Sequence, residues 1–432
     1  MALGRTVMHF DPLPSQCLVD QSLEIRVRGA DAGEYVVLRL RSRFNHEVLL
    51  SEATFRADQF GVVDLRRDAP TTGSYAEVDA MGLFWSRAPV STERASIIQS
   101  PSDDPLTVVL TAQRADGQML SHSIRRVFVG PHVSSKLVSD RGLVGMIYAP
   151  SSGGPRPALL VVGGSGGGLA WAQEMAALLA SHGFAALALA YFAADGLPST
   201  LDRIPLEYFD NALVWLAAQP DVAVNRIGVV GISRGGELAL LLGATFPRVR
   251  AVVAYAPSGI LWPAYPASGR GAWTIGGHEI PFASTLTHEE WDQAIADGRA
   301  RKDSFDWYLL PLKNSECVHK AAIRVERING PVLMISGADD KLWPSAKLTE
   351  FAVRRLHEER FPHYFEHLCY EGAGHSIGWP NVPTTMLRSV HPVSGEQMEM
   401  GGTPHGNAHA RSDSWPRMLE FLRSALAEVA VT

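Results

Sequence analysis

At 432 residues the chain exceeds what one hydrophobic core usually organises, so two domains are expected. Its 46% hydrophobic and 19% charged residues describe an ordinary soluble globular protein, and a formal charge of -6 argues against nucleic acid or an anionic membrane surface as the main partner. No apolar run reaches the roughly 18 residues of a membrane span.

The opening stretch MALGRTVMHFDPLPSQ lacks an apolar core of signal-peptide length, and AEVAVT at the other end is not the Ser-Lys-Leu peroxisomal address. Three widely spaced cysteines, Cys17, Cys317 and Cys369, fit a reducing compartment and no disulfide framework. The expected location is cytoplasmic.

Residues 1–135 read as strands. LEIRVRG (23–29), YVVLRLRSRF (35–44), LTVVLTAQ (106–113) and SIRRVFVG (123–130) alternate apolar and polar residues between Gly, Asp, Asn and Pro turns, which predicts an antiparallel β-sandwich. No cluster of Ser, His and acid falls in this half, so a scaffold or gating role is expected of it.

Residues 136–432 have another rhythm. PALLVVGG (157–164), FAALALAY (184–191), RIGVVG (226–231), RVRAVVAYAP (248–257) and GPVLMISG (330–337) are near-continuous apolar strands, separated by helical stretches such as 170–183 and 207–220. Such strands predict a mostly parallel sheet covered on both faces, with ligands at the carboxyl ends of the strands. Residues 258–329, rich in Gly, Pro and Trp, interrupt the alternation, and a cap over the site is the preferred reading over a plain surface excursion.

At one strand end lies VVGISRGGELALLL (229–242), in which Gly231-Ile232-Ser233-Arg234-Gly235 forms G-x-S-x-G. Small residues on both sides of Ser233 permit a sharp strand-to-helix turn that exposes the hydroxyl at a helix N-terminus. A serine nucleophile needs a base oriented by an acid, and sheets of this type supply them in the order Ser, acid, His. LMISGADDKLWP (333–344) and CYEGAGHSIGWP (369–380) end the next strands with Asp340 and His375. Asp340 stands three residues past Gly337 and is chosen over Asp339, which is expected to cap or solvate the loop. The two oxyanion donors are expected to be backbone N–H groups, one of Arg234 and one from VVGGSGGGLAW (161–171), at Gly164 or Ser165. That glycine loop matches neither G-x-G-x-x-G nor the P-loop, so no nucleotide cofactor is expected. His405 and His409 are four apart, but Gly, Pro and Asn around them suggest a loop, and no metal site is expected there.

The ordered motifs resemble one family over nearly the whole chain: the acyl-CoA thioesterases grouped with bile acid-CoA:amino acid N-acyltransferase. The resemblance is carried by FRADQFGVVDLRRDAP, GSYAEVDAMGLFWS, GGSGGG, GFAALALAYF, GISRGGELAL, VERINGPVLMISGADDKLWPS, GAGHSIGWP and GGTPHGNAHARSDSWPRMLEFL. It implies an N-terminal immunoglobulin-like sandwich and a C-terminal α/β-hydrolase domain, with the nucleophile, acid and base falling on Ser233, Asp340 and His375. Serine rather than cysteine favours hydrolysis of a small-molecule acyl thioester, linked to CoA or to a carrier protein; acyl transfer to an amine or alcohol is the alternative, with a non-catalytic binding protein behind both. Arg234 stands where the family frequently has Lys, and the region of Trp262, Tyr265 and Trp273 departs from the mammalian members. Acyl-chain length and oligomeric state are not legible.

Overall fold

A computed structural model describes residues 7–44, 47–91, 104–284, 286–301 and 305–428. By internal contacts the chain forms two units. The first comprises Met1–Gly130 with Trp379–Leu387 and Thr403–Ala408; the second comprises Pro131–Gly378, Arg388–Gly402 and His409–Thr432. The first unit thus takes in two stretches of the C-terminal half, and its main boundary falls at 130/131 rather than 135/136, because the strand Val133–Val138 pairs with Val144–Pro150 and belongs to the second sheet.

In the first unit one sheet runs Gln16–Leu18, Met119–Val127, Thr107–Arg114, Tyr35–Phe44, Glu47–Arg56, Thr72–Gly73, with Ala88–Pro89 also on Glu47–Arg56; a second holds His9–Phe10, Arg26–Arg28 and Val63–Asp64. Val27 and Val63 from the small sheet share one buried cluster with Leu38, Phe55, Leu110 and Ile124 from the large one, which makes the unit a sandwich. Pairing is antiparallel except where Gln16–Leu18 runs parallel to Met119–Val127. Because alternate residues face the core, a period-two pattern suffices to specify such strands.

The second unit is built on eight strands: β1 Val133–Val138, β2 Val144–Pro150, β3 Arg156–Val162, β4 Ala185–Ala190, β5 Val222–Ile232, β6 Val249–Tyr255, β7 Val332–Gly337 and β8 Phe365–Tyr370. Their spatial order is β1-β2-β4-β3-β5-β6-β7-β8; β2 is antiparallel to both neighbours and the pairs from β4 to β8 are parallel. Every residue of β4 and β7 is buried, so both faces are covered. The helices α1 Ala170–Ser181, α2 Leu206–Ala217, α3 Arg234–Thr245 and α4 Ser345–Glu358 follow β3, β4, β5 and β7. This is the α/β-hydrolase arrangement.

The described residues of 258–329 include several that pack into cores. Leu261, Ala272 and Trp273 join the main core of the second unit, and Ile260, Trp262, Ala283 and Ala321 form a small core with Trp343 and Leu348. Trp273–Ile275 pairs with Ile204–Pro205 ahead of α2. The expected loop around His405 and His409 is instead part of the helix Pro404–Ala425. Pro404 fits the first helical position, where its missing N–H is not needed, and the long run that follows outweighs the local cost of Gly406 and Pro416.

Candidate active site

β5 ends in a turn that forces Ser233 to φ 57°, ψ -121°, a left-handed conformation costly for any side chain bearing a Cβ. The turn is pinned by Ser233 N–H donating to Tyr255 O at 2.8 Å and Glu237 N–H donating to Ser233 O at 2.9 Å. Its tightness explains the flanking glycines: a Cβ on Gly231 would strike Gly235 O, and one on Gly235 would strike Gly163 O. Ser233 is 7% exposed and opens α3, whose first N–H groups, beginning with Arg234, have no intrahelical acceptor.

The glycine loop after β3 lies against this turn, since a Cβ on Gly164 would stand 3.1 Å from Ser233 Cβ. Tyr191 Oη donates to Gly163 O at 2.7 Å and Gly168 N–H to Phe192 O at 3.0 Å, which anchors the loop at both ends. Arg234 N–H and the Gly164–Ser165 backbone are therefore on elements that meet at Ser233.

Asp340 follows β7 and His375 follows β8, and the structure brings them together: His375 Nδ1 is 2.8 Å from Asp340 Oδ2. Ser345 Oγ donates to the same oxygen at 2.6 Å, while Leu342 and Trp343 N–H donate to Oδ1 at 2.9 and 3.2 Å. With donors on both oxygens, Asp340 accepts from His375, which places a ring proton on Nδ1 and leaves Nε2 outside this pair. Asp340 is 2% and His375 4% exposed. Asp339 is exposed, and its backbone rather than its carboxylate is engaged: its N–H donates to Ala373 O at 2.9 Å.

A strap unseen in the sequence ties the two loops. His375 N–H donates to Met400 O at 2.7 Å, Gly402 N–H donates to Asp339 O at 3.1 Å, and Gly401 and Gly402 form bridges with Asp340 and Ala373. Trp343 packs its ring 6.3 Å from that of His375 and donates through Nε1 to Ala256 O. Ser345 and the strap lack a motif; the only signal was the Pro-Ser start of α4.

The Arg234 side chain turns away into the protein. Its Nη2 donates to Trp262 O at 3.0 Å and lies 3.4 Å from Glu237 Oε1, which also accepts from Trp273 Nε1 at 2.7 Å. Glu237 is fully buried, and burial pushes its carboxyl up to about 7 against the pull of Arg234. The 258–329 segment is thus bound to the first turn of α3 by Trp262 and Trp273. His405 is 3.3 Å from Glu77, whereas the ring of His409 faces Tyr370. Among the described residues no group of three or more His, Cys, Asp and Glu could hold a metal ion, and no helix is long and apolar enough to cross a membrane.

Residues 20–140 match the model of the acyl-CoA thioester hydrolase/BAAT N-terminal region, and residues 204–428 that of the BAAT/acyl-CoA thioester hydrolase C terminal. Human acyl-coenzyme A thioesterase 1 is 31% identical over 419 residues, covering 95% of each chain. Mouse peroxisomal succinyl-coenzyme A thioesterase is 30% identical over 414 residues, covering 93% of each. Among solved structures, a dienelactone hydrolase-like promiscuous phosphotriesterase from metagenomic libraries aligns with 68% of this chain and 100% of its own at 20% identity and a TM-score of 0.42. The chain belongs to the acyl-CoA thioester hydrolase/bile acid-CoA:amino acid N-acyltransferase family.

Proposed function

We propose that this protein hydrolyses acyl-CoA thioesters to free acid and CoA through an acyl ester on Ser233. The observation that carries the reading is the hydrogen-bonded Asp340–His375 pair in the same unit as a serine held at φ 57° on the strand-to-helix turn. His375 Nε2 takes the hydroxyl proton as Ser233 Oγ attacks the thioester carbonyl; Asp340 holds the imidazole and stabilises its charged form. The carbonyl oxygen gains negative charge, which Arg234 N–H and a backbone N–H of Gly164 or Ser165 receive. As the C–S bond breaks, His375 returns the proton to the CoA sulfur. Water then gives a proton to His375 and attacks the ester, and that proton goes back to Ser233 Oγ as the acid leaves.

No metal ion or redox cofactor enters these steps. Residues 258–329 serve as the cap, since their tryptophans and Arg234 interlock beside the turn. The three unpaired cysteines support a reducing, cytoplasmic location. Fractionation of the native host tests the location: recovery in an organelle or an exported fraction contradicts it.

Thiol release from acyl-CoAs of graded chain length, with amino acids and amines present, tests the activity. Release that vanishes in Ser233→Ala, with free acid as product, is expected. Release only when an acceptor is present, with a new amide or ester formed, would make the protein an acyltransferase.

A further inference from the structure

The glycine loop has a second anchor outside the motifs. His391, 3% exposed, places Nε2 3.0 Å from Ser165 Oγ. Its other nitrogen, Nδ1, accepts backbone N–H donors from both Val393 and Ser394 at 3.2 Å. An Nδ1 that accepts carries no proton, so the ring is the neutral Nε2–H tautomer and donates to Ser165. Burial holds this imidazole below the usual histidine range, with Glu396 pulling the other way, so the neutral form is favoured. The ring is further fixed by Tyr265, whose ring lies 4.7 Å away and whose hydroxyl is bonded within the same turn to Ser394 and Glu396. Pro392 abuts the loop as well: a Cβ on Gly166 would stand 3.1 Å from its Cγ.

The consequence falls on Ser165. With one lone pair of Oγ occupied by His391, the hydroxyl proton remains to be donated, and among the described residues it has no acceptor. Ser165 adjoins Gly164, on which a Cβ would stand 3.1 Å from Ser233 Cβ.

We propose that His391 is a positioning residue that aims the Ser165 side-chain hydroxyl at the acyl oxygen, adding a side-chain donor to the backbone oxyanion donors and holding the loop against Ser233. This rests on the reading of Ser233 as the nucleophile given above.

A double-mutant cycle decides it, read by the rate at which a fluorophosphonate labels Ser233 and by kcat and KM for CoA release. Ser165→Ala, which keeps the backbone N–H, and His391→Ala are each expected to lower labelling rate and kcat about 10- to 100-fold with KM within about threefold. The double variant is expected to lose no more than Ser165→Ala alone, because His391 acts through that hydroxyl. His391→Gln, whose amide can donate, is expected to recover part of the loss. Wild-type labelling in Ser165→Ala, or losses that multiply in the double variant, would overturn the proposal. Wild-type protein that is labelled at Ser233 yet releases no CoA would sink the substrate reading, while the labelling ratios still decide this one. Wild-type protein that is not labelled at all would overturn both.

Discussion

The two units bury their strands differently. In the first, Met119–Val127 begins exposed at alternate positions; in the second, Ala185–Ala190 is buried throughout. An alternating strand keeps one wet face on which polar side chains can pair locally, as Arg39 does with Glu52 and Gln113. A strand covered on both faces offers polar chemistry a place only at its ends. Ser233, Asp340 and the loop carrying Ser165 follow strands largely buried toward their carboxyl ends, β5, β7 and β3, whereas His375 follows β8, in which only Leu368 and Tyr370 are buried. The buried cations of the first unit have local tasks instead: Arg114 pairs with Glu34, and Arg126 donates to the carbonyls of Val19 and Gln21.

Variants should separate along this line. The largest effect is expected from Asp340→Asn, which leaves the packing intact but removes the acceptor that sets the His375 tautomer; kcat should fall about 10³-fold or more, with little change in thermal midpoint. Leu110→Ala, in the sandwich core, should behave in the opposite way. It should cost about 2–5 kcal/mol of stability by leaving a cavity, while turnover per fluorophosphonate-titrated site stays at the wild-type value. A tenfold fall in that turnover would show that the sandwich takes part in the chemistry.

Acid should weaken the second unit through His367. Its Nε2 lies 2.6 Å from Ser336 Oγ between β7 and β8, and burial holds the ring at about 4, below the 6.5 of the unfolded chain. Protons therefore bind the unfolded state first: the stabilising difference is complete above pH 6.5 and is lost as the pH falls toward 4. Denaturant titrations of wild type and His367→Gln should diverge over that window by about 2 kcal/mol, allowing for partial exposure. Parallel pH profiles for the two proteins would contradict this. The smallest effect is expected at Gly117, a turn glycine at φ 89° with open space around it, where Ala should cost only about 1 kcal/mol, from backbone strain alone.

Much of the architecture was legible because it depends on short-range pattern: period two in Tyr35–Phe44, unbroken apolar runs in β3 to β7, and small residues around Ser233. What stayed hidden depends on distance or on length. Ser165 and His391 are 226 residues apart and meet only through the fold. Ser345 and the Met400–Gly402 strap act through one hydroxyl and backbone groups, which leave no compositional mark. Around His405, Gly, Pro and Asn signalled a loop, yet the helix runs through them because its remaining turns stabilise it cooperatively. The Arg234 side chain, read from the sequence only as standing where the family frequently has Lys, anchors Trp262.

The acyl ester itself is the most direct measurement. Wild-type protein mixed with an acyl-CoA and quenched in acid within milliseconds should gain the mass of one acyl group, mapped by peptide mass spectrometry to the segment containing Ser233. The Ser233→Ala variant should gain none and release no CoA. Release of CoA by Ser233→Ala at the wild-type rate would contradict the account.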